Sequence, residues 1–153
     1  MNPILRNVLA VIAGIVVGSI VNMFIISMST SVIPLPEGVS FDPNDQTGES
    51  LKAALPFFDP KNFIMPFIAH ALGTFAGAFV AVKIAATKKL VFAMVLGVWF
   101  LLGGIAVNFY VAPGPDWFTA ADLLLAYIPM AFIAYIAGHG KEKKISLPID
   151  LDV

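Results

Sequence analysis

The chain has 153 residues, of which 59% are hydrophobic and 12% charged, with a mean hydropathy of +0.90. Soluble domains run at about 45–50% apolar and about 25% charged, and a water-soluble fold this small could not bury the excess, so the surplus must face something apolar, of which lipid is the simplest candidate. A net charge of −1 gives no footprint for a nucleic-acid partner, and the lack of cysteine excludes disulfides, thiolate metal sites and thiol nucleophiles.

Crossing the hydrocarbon core takes about 20 predominantly apolar residues in a helix. The first span runs from about Ile4 to Met28, interrupted only by Arg6, Asn7, Ser19, Asn22 and Ser27. Its apolar stretch is too long for a cleaved signal peptide and no small-residue cleavage site follows it, so it is read as a retained helix. A long connection follows, from about residue 32 to 62. It is dense in proline and glycine (Pro34, Pro36, Gly38, Pro43, Gly48, Pro56, Pro60), which argues against long regular elements. Within it, Ser50 to Phe58 could form a short surface helix with Leu51, Leu55 and Phe58 on one side.

The second span covers about Phe63 to Ala86, with His70 inside it and Lys83 near its end. A tight turn, Thr87-Lys88-Lys89, leads to the third span, about Leu90 to Ala112, in which Asn108 is the most polar member. Pro113-Gly114-Pro115-Asp116-Trp117 precedes the fourth span, about Phe118 to Ala137, with Asp122 near its start and Pro129 expected to kink it. A tail from about 138 to 153 is too short to form a domain. The expected fold is all-α, a single four-helix transmembrane bundle.

Lysine and arginine collect on the cytoplasmic side of membrane proteins. Arg6, the Lys88-Lys89 turn and the Lys141–Lys144 cluster fall on one side when four helices alternate, and the base-poor connections fall on the other. The expected topology has both termini in the cytoplasm and the long loop outside, in a bacterial inner membrane.

Small residues mark helix contacts in lipid, where no hydrophobic force drives helices together. The first span carries Gly14 and Gly18, the second Gly73 and Gly77, the third Gly97 and Gly104. Polar residues inside a membrane face the bundle interior or a wet cavity. At about 1.5 Å per residue, Asn22, His70, Asn108 and Asp122 all fall in the outer half of the bilayer, one from each span. Tyr127 and Tyr110 lie near the same depth. These residues define a candidate polar pocket, with a His70–Asp122 hydrogen bond as its sharpest expected contact. Each has a plainer reading. The asparagines could cross-link helices, and Thr119-x-x-Asp122 has the form of a capping box.

No catalytic residue is assigned, and no metal or cofactor is expected. The first functional expectation is a structural or accessory subunit of a membrane assembly, with membrane lipids and further protein copies or subunits as partners. The second is a small transporter or ligand-binding protein using the polar pocket. The third is a membrane enzyme acting on a lipid or quinone, with His70 and Asp122 as acid–base partners.

Overall fold

A computed structural model describes residues 1–45 and 47–139 of the chain. Among them all regular structure is helical, and four helical segments are long and apolar enough to cross a membrane. The expected tail begins within the last helix, and from residue 140 onward it lies outside the described residues, as does the Lys141–Lys144 cluster.

Helix α1 spans Pro3–Val32. Asn2 caps it by accepting a hydrogen bond from the Ile4 amide at 2.9 Å, and Pro3 sits where a missing amide proton costs nothing. The helix runs four residues past the expected end at Met28. Ser27 stays helical by donating to the Phe24 carbonyl. The stop comes at Ile33, extended at φ −124 and ψ 95, because Pro34 disfavours a helical residue before it. At about 1.5 Å per residue α1 is about 45 Å long, more than the hydrocarbon core is thick.

The connection is more ordered than its proline content suggests. Helix α2, Glu49–Ala54, is followed by 3-10 turns at Leu55–Phe57 and Pro60–Phe63. The expected helix at Ser50–Phe58 is therefore cut to six residues, because Pro56 tightens the chain after Ala54. Asp45 organises its start, its carboxylate accepting from the Thr47 hydroxyl and amide and from the Ser50 amide. Asp59 and Asn62 form a reciprocal capping box over the second turn, and Asn62 also donates to the Pro34 carbonyl at 3.0 Å.

Helix α3, Ile64–Ile84, lies at the centre of the bundle, in contact with α1 and with the two helices of the later spans. Its C-terminus is closed by the start of α1. Arg6 donates from Nε to the Ile84 carbonyl, and Asn7 Oδ1 accepts from the Ala86 amide at 2.8 Å. Lys88, in the left-handed region at φ 47, turns the chain into α4, Lys89–Ala106.

The third span does not end as a plain α-helix. Val107–Val111 forms a π-helical turn, closed by the Ala112 amide on the Val107 carbonyl at 2.9 Å. The fourth span is two helices, α5 at Asp116–Leu125 and α6 at Ile128–His139. The break lies at Ala126–Tyr127 because Pro129 has no amide proton for the Leu125 carbonyl and its ring crowds that group. The proline therefore separates two helices where a kink within one was expected.

Small side chains dominate the core. Ala78, Ala81, Val82, Ala93, Leu96, Ala131 and Ala134 are each fully buried where α3, α4 and α6 meet. Large apolar residues such as Ile12, Val16, Ile20 and Phe132 point outward, the arrangement expected when the solvent is lipid. The contact of α1 with α3 is reciprocal and close. A Cβ on Gly14 would sit 2.7 Å from the Gly77 carbonyl oxygen, and one on Gly77 would sit 2.6 Å from that of Gly14. Gly18 and Gly73 repeat the relation one turn along, at 2.7 and 2.9 Å.

Candidate functional site

Asp122 on α5 is completely buried, and its carboxylate is the hub of a polar network. Oδ1 meets His70 Nδ1 of α3 at 2.8 Å. Oδ2 accepts from Asn108 Nδ2 in the π turn at 3.1 Å and from the Tyr127 hydroxyl at the α5–α6 break at 3.0 Å. Three other parts of the chain thus converge on one carboxylate. The Thr119–Asp122 pair does not form a capping box, since Thr119 donates instead to Asn108 Oδ1 at 3.2 Å.

The irregular backbone supplies the geometry. The π turn carries Asn108 toward the bundle, where one proton of its amide goes to the Gly104 carbonyl at 3.0 Å and the other to Asp122. With Oδ1 accepting from Thr119, the orientation of the amide is determined. Gly104 is required by the neighbour across it, because a Cβ there would collide with the Tyr127 hydroxyl and ring. Gly97 plays the same part lower on α4, where a Cβ would lie 2.8 Å from that of Ala131.

His70 is held by this network and not enclosed by it. Its ring lies along that of Tyr127, with centroids 5.8 Å apart and planes 28° apart. With the Asp122 carboxylate as acceptor, Nδ1 carries the proton and Nε2 is left for another partner. Among the described residues Nε2 has no hydrogen-bond partner, and the side chain retains 15% exposure.

That exposure opens into a cleft of about 460 Å³ between α1, α3 and α4. Ser19, Asn22, His70, Thr74 and Tyr127 supply its polar surface, and Met23, Trp99 and Phe100 much of its apolar surface. Its mouth faces sideways, toward the surroundings of the bundle, because Met23, Trp99 and Leu102 are each more than half exposed. Thr74 is 1% exposed, and its hydroxyl has no hydrogen-bond partner among the described residues. A Cβ on Gly103, at the rim, would meet nothing within 4 Å.

Of the residues singled out in the sequence, His70, Asn108 and Tyr127 each bond to Asp122. Asn22 lines the same cleft without joining the network, its Cβ resting against Gly73. Tyr110 is 80% exposed and takes no part. Thr119 and Thr74 were not singled out as site residues. Thr74 had a visible signal, lying four residues after His70 and therefore on the same helix face. Thr119 is brought in only by the π turn. Among the described residues no group of three or more His, Cys, Asp or Glu side chains could hold a metal ion.

Comparison with family models, with curated proteins and with solved structures finds no match to this chain.

Proposed function

We propose that the chain is a ligand-binding protein of the membrane, of the kind that holds or passes a small molecule, and that its ligand occupies the cleft beside His70. The observation that carries this reading is the buried Asp122 carboxylate with its three hydrogen-bond partners. A charge inside a bilayer is costly, and residues of this kind mark substrate or ion paths. Here it is satisfied in a way that fixes one face of an imidazole and leaves the other toward a cavity. Close packing of glycines alone would account for a structural subunit, but such a subunit has no need of a cleft ending in an oriented histidine.

The reading includes the topology expected from the basic residues. With Arg6 and Lys88-Lys89 in the cytoplasm, the cleft lies in the outer half of the membrane. His70 is then about 9 Å below the start of α3, by its rise per residue. Neutral imidazole presents Nε2 as an acceptor, and protonated imidazole presents it as a donor while its charge offsets that of Asp122. The site can therefore hold a ligand group of either hydrogen-bonding sense.

Native mass spectrometry of the gently solubilised protein tests the proposal. The expected spectrum shows the chain with a retained small molecule or lipid that His70→Ala loses while its helical circular dichroism is unchanged. Bare protein, or other subunits in fixed stoichiometry with no ligand, would overturn the proposal. The second result would favour an accessory subunit.

A further inference from the structure

The cleft is polar in a restricted way, and this restriction points to a ligand class. The inference rests on the binding role proposed above. No lysine, arginine, aspartate or glutamate lines the cleft. The nearest charge, Asp122, is fully buried behind the His70 ring and already has three partners. An anionic head would meet that carboxylate with no fixed counter-charge. A cationic head could not reach it. Transfer of either from water into such a site is expensive.

A neutral head with one oxygen meets no such obstacle. His70 and Thr74 stand one helical turn apart on α3 and face the same cavity. Nε2 of neutral His70 accepts a hydrogen bond. The Thr74 hydroxyl, buried and without a partner among the described residues, can donate one. A single hydroxyl placed between them would donate to the imidazole and accept from the threonine. Asn22 lines the cleft nearby and could take a second polar group. Ser19 and Tyr127 complete the polar lining, the remainder is apolar, and the mouth between α1 and α4 lies among outward-facing side chains. We infer that the cleft binds a neutral amphiphile bearing a hydroxyl head, which enters sideways from the bilayer with its apolar body along Trp99 and Leu102.

The chain has two tryptophans, and Trp99 lines the cleft while Trp117 does not. A Trp117→Phe background therefore leaves one reporter at the site. The full chain in phosphatidylcholine nanodiscs, at alkaline pH, is titrated with three bromine-terminated probes of equal tail length: dodecanol, dodecanoate and dodecyltrimethylammonium. Bromine quenches Trp99 fluorescence on contact. The expected result is saturable quenching by the alcohol, at least tenfold tighter than by either ion. Gly103→Leu, whose side chain enters open space at the rim, should abolish saturation with the helical signal intact. Thr74→Val should weaken the alcohol about fivefold, the loss of one neutral hydrogen bond.

Saturable binding of an ion in preference to the alcohol, removed by Gly103→Leu, would overturn the neutral head and keep the cleft as the site. Alcohol binding unchanged by both substitutions would place the ligand elsewhere and overturn the inference. No saturable quenching by any probe, with Gly103→Leu indistinguishable from the parent, would overturn the cleft reading and the ligand class together.

Discussion

The imidazole of His70 and the carboxylate of Asp122 stand 2.8 Å apart across the bundle, although 52 residues separate them in the chain. Each constrains the other. The carboxylate sets the tautomer of the imidazole, and the imidazole shields one edge of the carboxylate from the cleft. Stability and the candidate site therefore share one pair of atoms.

Replacing Asp122 by asparagine keeps its size and removes its charge. The new amide offers one acceptor where three hydrogen-bond partners converge, and it turns an NH₂ group toward at least one donor. A loss of about 2 kcal/mol is expected. Asp122→Ala should cost more, about 3–5 kcal/mol, because it strands buried partners. Unfolding of the detergent-solubilised variants, followed by circular dichroism, reads both values. An Asp122→Asn variant as stable as the parent would show that the network adds little to folding.

The glycines of α1 and α3 should be intolerant of any side chain. Gly77→Leu cannot fit 2.6 Å from the Gly14 carbonyl oxygen without parting the helices, and a loss of about 2–3 kcal/mol or more is expected, as for other overpacked sites. Gly103→Ala is the contrasting case, since its Cβ meets nothing. It should be neutral or stabilising by up to about 1 kcal/mol through helix propensity. Equal effects of the two substitutions would refute the close α1–α3 contact.

In the long connection, the Thr47 hydroxyl first, then the Ser50 and Thr47 amides, lower the Asp45 pKa from its ordinary 3.8 to about 2. A depressed carboxylate contributes to the folded state above its unfolded pKa and ceases to do so as pH falls through the folded value. The order around α2 should therefore hold down to about pH 4 and fade between there and about pH 2. Acid-stable protease cleavage across this pH range measures it. Asp45→Ala should be cut at the same site already at neutral pH.

The proposed topology is open to a direct check, because the chain has no native cysteine. Thr47→Cys and Thr87→Cys are both at exposed positions on opposite ends of the bundle. In intact bacterial cells a membrane-impermeant maleimide should label the first, and the second only after permeabilisation. The reverse pattern would invert the orientation and place the cleft in the inner half.

Four spans could be read from hydrophobic runs because lipid imposes a long, nearly unbroken apolar requirement. Depth could also be read, since rise per residue is constant, and that brought His70, Asn108 and Asp122 to a common level. Rotation could not. Whether Asn108 faces Asp122 depends on the π turn, and no local pattern in Val107–Val111 announces an extra residue in a helical turn. Asn22 is turned into the cleft by Gly18 and Gly73 meeting, a contact between two elements. Helix α1 extends to Val32, four residues beyond the span that ends at Met28, because Pro34 and not apolarity sets its end. The role of Asn7 and Arg6 in closing α3 lies about 80 residues away in sequence, beyond any local reading.

The His70–Asp122 contact also sets an order of dependence during synthesis. The second and fourth spans, which carry this pair, are the less apolar of the four, and each holds a group that hydrocarbon alone accommodates poorly. His70 is made first and reaches the bilayer before its acceptor exists. A chain ended after the third span would keep the imidazole and the three helices that wall the cleft but would have no carboxylate to orient it. The fourth span is thus the one whose arrival completes the second.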